Sequence, residues 1–305
     1  MAFWYAPANL GQLAAMRIGV GLVLLFVFFV TGFDLQAHYS LNGWGDLFSL
    51  RGLDPVAWPF SIFDWFANDF WLWAVHITAL LAALAFVLGV IPTWTGLLSL
   101  LFLLSYEHRN PAVALDLDGL LLMGVLYLSL TPSGRVFSVV DGLGVRPPSP
   151  LGDVEPAAPR WAGFPIRLLQ IHLSLLYFFS GLGKLSPDWL AGVVFWHPRV
   201  AETGLPLAYD FMQAHPQLTV FVIYGAVLFQ LFFAVLIWLP RYRYWMLGAA
   251  VVLHLAVGIL WGKLPFNLLI LVLDFAFVPP AHVDALLEKL VPVLTRGYQL
   301  IGRQQ

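Results

Sequence analysis

PIRLLQIHLSLLYFFSGLGK, residues 165–184, is an apolar run that ends on a lysine and is followed at once by LSPDWLAG, residues 185–192. A helix needs about 20 predominantly apolar residues to cross the hydrocarbon core of a bilayer, and this run has that length. The rest of the chain shares its character. Of 305 residues, 60% are hydrophobic and 10% charged, and the mean hydropathy is +0.83. That leaves too little polar surface to coat a water-soluble globule, so the sequence is that of an integral membrane protein.

Further apolar runs fall at 12–32, 70–92, 94–106, 112–131, 217–239, 243–261 and 264–280. Together they predict an all-α, polytopic transmembrane helix bundle of about eight spans occupying residues 1–280. The first run is too long for a signal peptide and has no small-residue cleavage site, so it is expected to be retained as a helix. Two longer breaks interrupt the series. The one at 32–69 leads into WPFSIFDWFANDFWLW (58–73), whose aromatics predict an interfacial loop roofing a cavity. The one at 132–164 contains VRPPSP and DVEPAAPRWAG and reads as a Pro-rich cytoplasmic linker between two four-helix halves. In the tail, 281–305, apolar residues at 283, 286, 287, 290 and 294 predict an interfacial amphipathic helix.

Charge excludes several functions and sets an orientation. A net charge of -2 without a basic stripe argues against nucleic acid, and the absence of cysteine excludes disulfides, thiolate metal sites and thiol nucleophiles. No HExxH, clustered histidines at metal spacing or Walker loop is present, so no metal is expected. If both termini are cytoplasmic, only Arg51, Arg109, Lys184, Arg199 and Lys263 of the 15 Lys and Arg residues lie outside, as the positive-inside rule prefers.

This topology collects ionisable groups at the outer ends of different helices: Asp34 and His38, Glu107-His108-Arg109, Asp116 and Asp118, and Lys184, with His254 deeper in its helix. Such groups are costly beside lipid unless paired, hydrated or functional, so their accumulation on one side predicts an outward-facing cavity. In the fifth run Gln170, Ser174, Tyr177, Gly181 and Lys184 share a helix face. A polar stripe of this kind serves either interhelical packing or a site. Lys184 either reaches to the interface or, drawn out of water, acts as a base. His108 sits either in a wet turn or in the site. Asp116 and Asp118 point in different directions, one of them expected to pair with Arg109. His254 reads as a hydrogen-bonded structural group or a cavity residue, and Arg17 as an anchor of the first helix.

The segment YFFSGLGKLSPDWLAG (177–192) resembles the lysine signature of the HTTM family, the membrane domain shared by vitamin K-dependent gamma-carboxylases and many bacterial proteins. MRIGVGLVLL (16–25), SYEHRNPAVALDLDGLLL (105–122) and HLAVGILWGKLPFNLLILVL (254–273) extend the resemblance in order, over most of 10–280. It implies that Lys184 deprotonates a vitamin K-type hydroquinone (menaquinol or phylloquinol) and that His108 assists. Tyr177, Arg109, Asp118, Trp189 and His254 are then the expected cofactor-binding residues. Reaction of the quinol anion with O2 yields a base strong enough to take a proton from a peptide glutamate, to which CO2 adds. The carboxylases have two adjacent lysines where this chain has Gly183-Lys184, and the lysine that matches is the one given the catalytic role.

The expected function is thus that of a carboxylase- or epoxidase-like enzyme in a bacterial inner membrane, its active site facing outward, its partners a quinone and a peptide or protein on the non-cytoplasmic side. The alternative is a non-catalytic membrane scaffold or maturation partner that binds a lipid or peptide. Geometry separates them: the enzyme requires Lys184 and His108 to line one cavity, with Tyr177 on its wall and the 58–73 segment near its entrance.

Overall fold

The computed structural model describes residues 3–41, 43, 60–65, 68–142, 158–192, 210, 213–283, 285 and 286. Among these there are helices and turns but no strand. The chain divides into two compact units, one formed by residues 1–167 and 278–305 and the other by 168–277.

In the first unit α1 (Leu10–Thr31) starts at Asn9, whose side chain accepts the Gln12 N–H at 2.9 Å. A 3-10 turn, Gly32–Asp34, leads into the short α2 (Leu35–Tyr39). Another, Ile62–Trp65, precedes α3 (Asp69–Leu88), which Asn68 caps through the Trp71 N–H. Gly89 ends α3 in the left-handed region, φ 73°, which favours glycine. α4 (Pro92–Arg109) begins with proline, whose missing N–H costs nothing in a first turn, and α5 (Asp118–Ser129) packs beside it. The α1–α3 crossing is close because residue 21 is glycine: a Cβ there would lie 2.7 Å from Val87 Cγ2. Arg17, fully buried in α1, donates to the carbonyls of Ser133 and Phe137. The anchor expected of Arg17 is therefore a clamp on the chain after α5. A short α6 (Val139–Gly142) follows.

The helix α7 (Gly163–Gly183) continues into the second unit. There α8 (Pro187–Leu190) forms a single turn, and α9 (Pro216–Leu236), α10 (Pro240–Leu260) and α11 (Leu264–Asp274) each carry proline in the first turn. The α10–α11 connection turns through Gly262, φ 68°. Gly258 admits α11 so closely that a Cβ would lie 3.2 Å from both the Asn267 Cβ and the Leu264 Cα. Serines and threonines inside these apolar helices are satisfied locally. Ser99, Ser105, Ser129 and Ser174, for example, each donate to the carbonyl four residues earlier.

Every apolar run of the sequence coincides with a helix. Among the described residues five segments are long and apolar enough to cross a membrane: Leu10–Tyr39, Asp69–Leu88, Arg160–Gly183, Pro216–Leu236 and Pro240–Leu260. Asp118–Ser129 and Leu264–Phe277 are apolar but shorter, and α4 carries Glu107, His108 and Arg109 in its last turn. The amphipathic tail lies outside the described residues beyond position 286, as do 44–59 of the interfacial loop and 143–157 of the linker.

Candidate functional site

The polar stripe of α7 resolves into separate contacts. Gln170 donates to the Ala276 carbonyl at 2.6 Å, and Ser174 accepts from Trp238 Nε1 at 3.0 Å. Gly181 meets Leu231 of α9, where a Cβ would lie 3.2 Å from the backbone nitrogen. For Ser174 and Gly181 the packing alternative therefore holds.

Tyr177 is different. It is 1% exposed, and its ring stacks on Phe233 with centroids 3.9 Å apart. Its hydroxyl lies 2.7 Å from Asp274 Oδ2 and 2.8 Å from His254 Nε2. His254 Nδ1 in turn meets Asn267 Oδ1 at 2.8 Å. The amide of Asn267 is oriented by its Nδ2, which donates to the Lys263 carbonyl at 2.8 Å. Three helices thus place four side chains, Asp274, Tyr177, His254 and Asn267, in one buried line. Asp274 is the residue the sequence reading missed. A single carboxylate inside the run 264–280 is the signal that marks it, because an ionisable group at membrane depth requires a partner or a role.

Lys184 stands one residue beyond the candidate span Arg160–Gly183. Its ammonium folds back along the helix, donating to Ser180 Oγ at 2.6 Å and to the Ser180 carbonyl at 3.1 Å. The Trp189 ring, delivered by α8, lies 5.3 Å from Nζ, within cation–π range. Burial lowers the Lys184 pKa from its ordinary value, because desolvation disfavours the charged form. The amine is therefore closer to a usable base than a fully hydrated lysine. Of the residues singled out in the sequence, Lys184, Trp189, Tyr177 and His254 all fall in the second unit.

His108, Arg109 and Asp118 belong to the first unit. His108 Nδ1 meets the Phe60 carbonyl at 2.9 Å. Arg109 corrects an expectation: its partner is Asp64, at 2.7 Å, and not Asp116 or Asp118. The reason is direction. At the end of α4 the guanidinium faces the 3-10 turn Ile62–Trp65 and also donates from Nε to the Tyr39 carbonyl at 3.1 Å. Asp116 is exposed in the turn before α5, while Asp118 is buried and accepts the Leu115 N–H at 2.7 Å. The described part of the aromatic segment contributes Phe63, which packs with Tyr39 and Tyr106, and Tyr106 meets His76 Nδ1 at 2.7 Å. A cavity of about 10 Å³ beside them, room for about one water molecule, is lined by Arg109, Asp69, Ser40 and Tyr39 among others, but not by His108 or Asp118. Among the described residues no group of three or more His, Asp or Glu has the arrangement of a metal site.

One family model, HTTM domain, matches residues 5–281. The chain belongs to the HTTM domain family. No curated protein and no solved structure matches it. Within this HTTM domain the best-defined polar arrangement is that of the second unit: a half-buried amine at Lys184, and a buried line of titratable side chains that begins at Tyr177, two turns earlier on the same helix.

Proposed function

We propose that this membrane protein oxidises a vitamin K-type hydroquinone with O2, using Lys184 as the base that takes the phenolic proton. The observation that carries the reading is the state of Lys184: half-buried, lowered in pKa by desolvation, and held by Ser180 beside the Trp189 ring. The group set suits a hydroquinone, with an amine to accept the proton, a hydroxyl to orient the amine and an indole against which an aromatic ring packs. Bound hydroquinone supplies the reducing power: with O2 it gives the quinone epoxide and water, one oxygen atom in each product. Protein side chains supply binding, orientation and proton transfer.

His108 is proposed as an assisting group, its tautomer biased by the Phe60 carbonyl, which accepts a hydrogen bond from Nδ1–H and leaves Nε2 to act. Lys184 and His108 lie in different units of the chain, so their cooperation is a matter for kinetics. Capture of CO2 by a peptide glutamate, an eight-span topology, an outward-facing site and a bacterial inner membrane are further parts of the proposal, supported by the family resemblance and the distribution of Lys and Arg.

The test is turnover by purified protein in lipid, supplied with a naphthohydroquinone, oxygen and labelled CO2. The expected result is oxygen-dependent epoxide formation that the Lys184→Ala variant loses while remaining folded. A wild-type protein that is folded and binds the quinol without oxidising it would favour the scaffold alternative.

A further inference from the structure

Counting hydrogens along the buried line in the second unit leads to a constraint on protonation. Asn267 Nδ2 donates to the Lys263 carbonyl, so Oδ1 faces His254, and the proton between them must belong to His254 Nδ1. Tyr177 has one O–H and two partners, Asp274 Oδ2 and His254 Nε2. If Tyr177 donates to Asp274, then His254 Nε2 must carry a proton as well, which makes it an imidazolium opposite a carboxylate. If Tyr177 donates to His254, then Asp274 must be protonated and donate to Tyr177, and every member is neutral. The two arrangements contain the same protons. They differ by one proton hopping from Nε2 to the tyrosine oxygen while the tyrosine proton passes to Oδ2.

We propose that Asp274, Tyr177 and His254 form a proton relay of two interconvertible states, with the neutral state at rest. The second oxygen of Asp274, Oδ1, is buried with no hydrogen-bond partner among the described residues. A carboxylate left so exposed to a low-dielectric interior is costly, whereas the same oxygen in a carboxylic acid is a weak acceptor that tolerates burial. The neutral state is therefore the resting one.

The experiment uses the full chain in lipid without quinol, so its outcome is independent of turnover. Infrared spectra in H2O and D2O report protonated carboxyl groups, and nitrogen-15 spectra of labelled histidine report His254, assigned by comparison with His254→Asn. Near neutral pH the wild type is expected to show a carboxylic-acid carbonyl band and a neutral His254 protonated on Nδ1. The band should be lost in Asp274→Asn and shifted in Tyr177→Phe, which keeps the ring. If Asp274→Asn fails to fold, carbon-13 in the aspartate carboxyl carbons assigns the band to an aspartate, and its shift in Tyr177→Phe assigns it to Asp274. An imidazolium at His254 in the wild type, with no carboxylic-acid band, would show a fixed ion pair and overturn the proposal. A carboxylic-acid band that Tyr177→Phe leaves unaltered would overturn it as well.

Discussion

Replacing Tyr177 by Phe removes one oxygen atom from the interior of the second unit and little else, since stacking on Phe233 needs only the ring. Two hydrogen bonds disappear, at 2.7 and 2.8 Å, and they leave His254 Nε2 and Asp274 Oδ2 without that partner. A buried polar group deprived of its partner costs about 1–3 kcal/mol in a soluble protein. Interhelical side-chain bonds in membranes average only about 0.6 kcal/mol, because helices separated in the bilayer find other partners. Two groups at roughly 1 kcal/mol each give a loss of about 2 kcal/mol, close to a thirtyfold shift in the unfolding equilibrium. Reversible unfolding in mixed detergent micelles measures it. Combining Tyr177→Phe with Asp274→Asn should cost less than the sum of the two, because the second change acts on a bond already gone. A loss below about 0.5 kcal/mol, with strict additivity in the double variant, would refute the claim that these three helices are joined by a continuous hydrogen-bonded line.

Four further outcomes are expected. Gly181→Ala should destabilise the second unit by about 1–3 kcal/mol in the same assay, because the new methyl meets the backbone of Leu231 as well as its side chain. Arg17→Met should cost about 2–3 kcal/mol, since the Ser133 and Phe137 carbonyls lose their donor inside the first unit. A rate limited by the neutral form of Lys184 should rise with pH and level off at a midpoint below that of an ordinary lysine, because burial lowers its pKa; a pH–rate profile with an unshifted midpoint would show that the amine is fully hydrated. The chain has no cysteine, so single cysteines introduced in 185–216 and 132–164 give a clean test of orientation: the first should react with an impermeant thiol reagent from outside and the second should not.

Hydropathy alone located the long helices among the described residues, because lipid demands apolar length, but not the short α2, α6 and α8, which lie between the apolar runs. It was less able to say which helices cross, since α5 and α11 are short and α4 ends in charged residues. Within the candidate site, spacing on α7 placed Tyr177 and Lys184 on one face, but the partners of Tyr177 come from α10 and α11, and helical periodicity carries no information about which helix faces which. The same limit explains Arg109. Nothing in EHRN distinguishes Asp64, 45 residues away, from Asp116 and Asp118 nearby; the choice is made by the fold of the Ile62–Trp65 turn. His254 was legible as a polar exception within an apolar run. Asp274 carries the same signal, a single carboxylate within the run 264–280.

The role of Lys184 is the claim on which the functional account depends, and chemical rescue tests it most directly. Epoxide formation from a naphthohydroquinone and O2 is measured for the wild type and for Lys184→Ala, with and without small primary amines of graded basicity. The account predicts that the variant loses about 10²–10⁴ in rate, the range for removal of a general base, and that added amines restore part of it in order of their basicity. Undiminished epoxide formation by Lys184→Ala, in protein that binds the quinol as the wild type does, would contradict it.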